Sequence, residues 1–270
     1  MDEAGTGFAE SGARAAARTI FVTGAASGIG LSTARMFAKR GWRIGAFDID
    51  EAGLARLADE LGEAASFTRV LDVTDRDDVL RAAEAFGAWS GGRLDLLFNN
   101  AGIIARGAFA DMAWDQITRI VGINLLGGMS VIHAALPLLR ATPGALCMST
   151  SSASAIFGSA ELAAYSATKH AVKGMTEALS LEFAAYGIRA ADVLPGIIDT
   201  PMLPGEIRPF VPTEGHWRLM SPDAVAQAVW DAYAGTGLHH YLPPELQDVD
   251  IRITRDPEGA RDLLVAGGLL

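Results

Sequence analysis

Thr19-Ile20-Phe21-Val22-Thr23-Gly24-Ala25-Ala26-Ser27-Gly28-Ile29-Gly30 decides how the rest of the chain is read. Thr19–Val22 has the length and apolar character of a buried strand, and Leu31–Arg40 beyond the glycines has helical spacing. The three glycines have separate uses. Gly24 permits a tight turn, Gly28 lets backbone approach a pyrophosphate, and Gly30 lets the helix lie close on the strand. N–H groups at the helix start, around Ser27 and Ile29, add donors and a positive dipole end for phosphate. The spacing is G-x-x-x-G-x-G and not G-x-G-x-x-G, so a ligand-free glycine turn stays open at this point.

Outward from this turn, strand-like and helix-like segments alternate. Arg43–Phe47, Ser66–Leu71, Leu94–Phe98, Ala145–Met148, Arg189–Leu194 and Leu238–Leu242 read as strands. Glu51–Leu61, Asp75–Trp89, Leu162–Tyr186 and Ser221–Tyr233 read as helices. Trp114–Leu139 reads as one long helix or two abutting ones, with Pro137 near the end. Such alternation gives parallel strands joined by right-handed crossovers, an α/β doubly wound domain with helices on both faces. One domain over residues 18–270 follows, behind a flexible segment at 1–17. Residues 202–220 carry Pro204, Pro209 and Pro212 without periodicity and read as a substrate loop.

The bulk composition limits what such a domain does. Half of the 270 residues are apolar and a fifth charged, which fits a filled core and excludes a disordered chain. A formal charge of −10 disfavours nucleic acid or an anionic membrane as partner. Cys147 is the sole cysteine, so no internal disulfide forms, and a reducing compartment is expected. The first eighteen residues lack the apolar core of a signal peptide, and the apolar stretches elsewhere are interrupted short of a membrane span. A cytoplasmic protein is the expectation.

Asp48 stands at the end of the second strand, eighteen residues after Gly30, where an acid hydrogen-bonds adenosine ribose hydroxyls. A carboxylate there repels a 2′-phosphate, and the neighbouring Ser27 and Ile49 offer no compensating cation, so NAD is expected over NADP. Asp72, followed by Val73 after the third strand, either accepts from the adenine amino group or caps the helix beginning near Asp75.

Tyr165 and Lys169 lie four residues apart, on one face of a helical stretch. A tyrosine titrates near pH ~10 and is a poor base at neutral pH. A neighbouring cation, with a positively charged nicotinamide, favours its phenolate. Ser152, just past the fifth strand in Ser149-Thr150-Ser151-Ser152, stands where a hydroxyl can hold a substrate oxygen; Ser151 or Ser154 would serve as well.

Together these motifs resemble the short-chain dehydrogenase/reductase family. T-G-x-x-x-G-I-G is Thr23–Gly30, N-N-A-G is Asn99-Asn100-Ala101-Gly102, and Y-x-x-x-K is Tyr165/Lys169. The family serine is Ser152, and the P-G motif is Pro195-Gly196-Ile197-Ile198-Asp199-Thr200. The match runs from about Thr19 to Met202. The resemblance implies a mostly parallel seven-stranded Rossmann-like sheet in the order 3-2-1-4-5-6-7. It implies catalysis by Ser152, Tyr165, Lys169 and Asn124, the last bending its helix and holding a water that links Lys169 to solvent. Asn100, Ala101 and Gly102 would line the adenosine ribose, and Pro195, Gly196, Ile198 and Thr200 the nicotinamide end. The implied reaction has Tyr165 remove a hydroxyl proton while hydride passes to nicotinamide C4, with Ser152 and Ser154 against the substrate.

Two other readings keep the fold. Halide-eliminating relatives typically lose the glycine turn and replace the lysine with arginine, against Gly24, Gly28, Gly30 and Lys169 here. A non-catalytic NAD-binding scaffold would not need Ser152, Tyr165, Lys169 and Asn124 together. The chain departs from many family members after His239-His240-Tyr241, where an acidic, arginine-containing tail replaces a Gly-rich one. A homodimer through the two long helices is therefore as plausible as a tetramer. His239 and His240 point to opposite faces of a strand, so no metal site is expected. His133, His170 and His216 read as surface or satisfied core groups. Ile103–Phe109, Ser154–Leu162 and Met202–Met220 are mostly apolar, which suggests a hydrophobic or cyclic secondary alcohol or ketone; Trp217, Phe210 and Met220 either cover it or pack the core.

Overall fold

In a computed structural model, residues 17–266 are described, so nearly all of the segment read as flexible lies outside the described residues. Strand β1, Thr19–Thr23, is buried along its whole length, as a central strand covered on both faces must be. Its even residues Ile20 and Val22 pack under one layer of helices and Phe21 under the other, following the two-residue period of a strand. β2 (Arg43–Asp48) and β3 (Ser66–Val70) extend the sheet on one side. β4 (Leu96–Asn99), β5 (Leu146–Thr150), β6 (Arg189–Pro195) and β7 (His239–Leu242) extend it on the other. All pairs are parallel and the order is β3-β2-β1-β4-β5-β6-β7, as expected. The chain reverses its direction of travel between β1 and β4, which opens a crevice at their carboxyl ends.

Helices α1 (Gly28–Lys39), α2 (Glu51–Leu61) and α7 (Pro222–Ala234) cover one face through Phe37, Leu57 and Val229. On the other face lie α3 (Arg76–Ser90), α5 (Gly128–Arg140) and α6 (Ala163–Ala184), which contribute Phe86, Ala135 and Phe183. Cys147 sits in that second layer, where burial pushes its thiol up to about 12 and leaves it inert at neutral pH. Asp75 caps α3 by accepting from Asp78 N (3.0 Å). Asp72 is therefore not the cap; it accepts from the Thr74 amide and hydroxyl instead.

The long helical run has three parts: α4 (Trp114–Val121), a π-helical turn (Gly122–Gly127) and α5. Contrary to the sequence reading, Trp114–Arg140 is long and apolar enough by composition to cross a membrane. Its Ile120, Val131, Ala135 and Leu139 are buried within the fold, as in a core helix. Trp114, Leu126 and Met129 remain exposed.

Helices α8 (Leu246–Arg255) and α9 (Pro257–Val265) occupy the tail, where none was expected. Charge hid their pattern, since Leu246, Val249 and Ile253 recur at helical spacing and all are buried. Asp256 before Pro257 is a start signal, and the Asp256 carboxylate accepts from Gly259 N (2.9 Å).

Candidate active site

The carboxyl ends of β1, β4 and β5 open on one cavity of about 1240 Å³, more than the roughly 300–1,000 Å³ usual for a single small ligand. Gly24, Ser27, Gly28, Ile29, Asp48, Asp72 and Val73, all expected at the site, line this cavity, as do Asn100, Ala101 and Gly102. Ser152, Ser154, Tyr165, Lys169, Pro195, Gly196, Ile198 and Thr200 line the same cavity. Gly30 and Asn124 do not line it; both act from behind.

Gly24 and Gly28 hold φ of +67° and +52°, a region side chains resist. A Cβ on Gly30 would collide with the Gly24 carbonyl oxygen, so glycine is what lets α1 start against the turn. Ser27 precedes α1 with no side-chain cap, which leaves the first-turn N–H groups to another acceptor. Asp48 is half-buried, and its Oδ2 accepts from Ala26 N (2.9 Å) while Oδ1 accepts from Asp50 N (3.0 Å). The glycine turn and the acid are thus one rigid unit. Bare donors at a helix start, a cradle with no room for Cβ and a fixed carboxylate together fit a dinucleotide.

Thr23, quoted in the glycine motif without a role of its own, ties this cradle to the next strand. Its hydroxyl accepts from the amides of Asn100 and Ala101 (2.9 Å each), and Asn100 Nδ2 donates to Thr23 O (3.0 Å). Thr150 Oγ1 donates to Asn100 Oδ1 (3.0 Å), and Lys169 Nζ donates to Thr150 O (2.7 Å).

Tyr165 and Lys169 rise from α6 and are almost fully buried. Burial without a carboxylate partner among the described residues draws the Lys169 pKa down to about 8. Burial pushes the Tyr165 phenol above its ordinary value, and a hydrogen bond from Ser152 offsets part of that rise. The lowering expected from Lys169 is not present in the protein alone: the ammonium lies 5.6 Å from the ring centroid, bonded to Thr150. The serines differ in their partners. Ser151 Oγ is spent on Lys169 O (2.9 Å), whereas Ser152 reaches the phenol and accepts from Ser154 N (3.1 Å).

A profile described as short chain dehydrogenase matches residues 18–208. The chain belongs to that family. Short-chain dehydrogenases are oxidoreductases that bind a nicotinamide cofactor and act on small molecules. Cyclohexanol dehydrogenase of Acinetobacter sp. (strain SE19) is 33% identical over 217 residues, covering 78% of this chain and 86% of that protein. Sex determination protein tasselseed-2 of Zea mays is 38% identical over 192 residues, 69% of this chain; the match spans 56% of the maize protein, little more than half. Among solved structures, 3-ketoacyl-(acyl-carrier-protein) reductase from Brucella melitensis, complexed with NADH, superposes with a TM-score of 0.75. It is 30% identical, with 83% of this chain and 96% of that chain covered.

Within this short-chain dehydrogenase, Asn124 lies in the π turn and is buried. Its Oδ1 accepts from Ile103 N (2.8 Å), and its Nδ2 donates to Ile103 O (2.9 Å) and Thr168 Oγ1 (3.3 Å). The carboxamide therefore clamps the stretch after Asn-Asn-Ala-Gly to α6. A Cβ on Gly102 would lie 3.3 Å from Asn124 Oδ1 and 3.7 Å from Lys169 Nζ, which puts both groups beside that glycine. The two loop aromatics and the methionine divide. Trp217 lines the cavity, Met220 packs into the core below α7, and Phe210 is exposed away from the cavity wall. His239 Nδ1 pairs with buried Asp192 (2.7 Å), and His240 Nε2 meets Gly237 O (3.1 Å). Arg261, Leu264 and Val265 of α9 also line the cavity, a contribution that reading the tail by charge alone missed.

Proposed function

We propose that this chain interconverts a secondary alcohol and a ketone on a hydrophobic or cyclic small molecule, using NAD(H). One observation carries the reading: the buried Ser152–Tyr165–Lys169 cluster opens on an apolar cavity continuous with the glycine cradle and Asp48. When bound, the nicotinamide takes up or supplies the hydride. Ser152 fixes the substrate oxygen, and Tyr165 takes its proton in oxidation or returns it in reduction. Lys169 and the neighbouring Asn124 stand where that proton would leave toward solvent. Ile156, Phe157, Leu162 and Trp217 supply an apolar wall, which suits rings. Following NAD⁺ reduction across secondary alcohols of graded size, beginning with cyclohexanol, tests the reading. Failure of every alcohol, with ketones also left unreduced by NADH, would sink it.

Asp48 supports NAD over NADP, because its carboxylate stands fixed at the ribose end of the cradle. Asp48→Asn keeps an acceptor for Ala26 N–H and removes only the charge. Losing a charged hydrogen bond of about 1.5–3 kcal/mol should lower kcat/KM for NADH roughly 10- to 100-fold and narrow the gap to NADPH. A wild-type preference for NADPH in the same assay would contradict the assignment.

Self-association belongs to the same proposal. Trp114, Leu126 and Met129 lie exposed on the α4–α5 run, and α6, packed against α4, exposes Leu181. An apolar face of this kind on two adjacent helices suits a second copy meeting it about a two-fold axis. Light scattering should show a dimer or larger in the wild type and a monomer for Leu126→Glu; a monomeric wild type would remove this part.

A further inference from the structure

The tail helices meet the site at two places. Leu246, Val249 and Ile253 of α8 and Ala260 of α9 share a buried cluster with Ala153, Ala155 and Ile156, the residues that follow Ser152. The pair thus packs against the segment carrying the candidate serine. Beyond Ala260, one turn on, Leu264 and Val265 line the cavity, as do Leu203 and Trp217 of the 202–220 loop. Leu264 is half-buried, but Val265 is 83% exposed, an apolar side chain at the cavity mouth without cover.

The position of these helices is fixed from several directions. Lys173 Nζ of α6 donates to Asp250 Oδ2 of α8 (2.7 Å), and Tyr241 OH of β7 donates to the same oxygen (2.6 Å). Arg218 of the loop bonds Glu245 at the start of α8 (3.1 Å). The Asp256 cap and Pro257 then set the corner from which α9 departs. Joined to so anchored a helix, α9 ends in half-buried Leu264 and exposed Val265 on a cavity with room for a substrate beside the dinucleotide, and so forms a wall for something apolar.

We propose that α9 is the specificity wall of the substrate pocket, with Leu264 and Val265 gripping the far end of a rigid apolar substrate larger than one six-membered ring. This rests on the ketone–alcohol reading above. The ketone oxygen lies at Ser152 and Tyr165, and the ring body extends toward the mouth between α9 and the 202–220 loop. A monocyclic ketone fills the inner part and does not reach α9.

Binding without turnover separates this proposal from the reaction itself. The full chain, saturated with NAD⁺, is titrated calorimetrically with 2-decalone and with cyclohexanone. Leu264→Asp and Val265→Asp should each weaken decalone binding about tenfold, equivalent to about 1.4 kcal/mol, and change cyclohexanone binding by less than about twofold. Val265 is too exposed for its replacement to unfold the helix, so that variant keeps the test sound should Leu264→Asp loosen α9. Equal weakening of both ketones, unchanged decalone binding in both variants, or no decalone binding by the wild type would overturn the wall. Decalone binding that responds to α9 while no alcohol is oxidised would uphold the wall and reject the reaction.

Discussion

Tyr165→Phe is expected to lower kcat by about 10³–10⁴-fold, near the upper end of what a positioned acid–base group supplies. NADH binding, read from its fluorescence, should stay within about threefold, below about 0.7 kcal/mol, because the ring remains and only the oxygen is lost. The phenol is buried, hydrogen-bonded by Ser152 and raised above its ordinary pKa. A raised phenol is protonated at neutral pH and gains its base form only as pH climbs. Oxidation, which needs the base form, should therefore accelerate from neutral toward alkaline pH, and reduction, which needs the acid form, should slow over the same range. Normal turnover by Tyr165→Phe, or an oxidation rate falling with pH, would remove Tyr165 from the acid–base role.

Gly30→Ala tests the opposite end of the cavity. The added methyl meets the Gly24 carbonyl oxygen, part of the backbone and unable to swing aside like a side chain. Overpacking of this sort costs about 1–3 kcal/mol, which for a domain of this size lowers Tm by roughly 2–12 °C. The turn must shift to relieve the contact, and with it the N–H groups and Ala26, which positions Asp48. NADH affinity should fall roughly 10- to 100-fold through loss of charge-assisted bonds. Unchanged affinity in a folded Gly30→Ala protein would show that this turn does not hold the dinucleotide.

Residues whose identity is dictated by one local demand were legible in the sequence. Gly24, Gly28 and Gly30 answer to backbone geometry, Ser221-Pro222 to a helix start, and Ile20, Phe21 and Val22 to burial on both faces. The sheet order came from family resemblance, since alternation alone leaves several orders open. Less legible were side chains whose role depends on a distant partner. Thr23 is an ordinary strand residue until Asn100, 77 positions later, is placed against it. Asn124 was recognised, but its clamp on the Ile103 backbone needs the π turn to aim it. The tail was misread because three apolar residues at helical spacing were masked by the four acids and arginines of LQDVDIRITR and four more in its continuation.

The hydrogen bonds from Thr23 through Asn100 and Thr150 to Lys169 form an unbroken chain across the ends of β1, β4 and β5 and onto α6. For anyone redesigning this molecule, that chain sets where cuts can be made. The glycine cradle and the Tyr165–Lys169 end of the cavity are linked through Asn100 and Thr150, so substitution at either residue disturbs both ends. The 202–220 loop and α9 lie outside the chain. New substrates are best sought by exchanging those two walls and leaving the strand ends as a single inherited block.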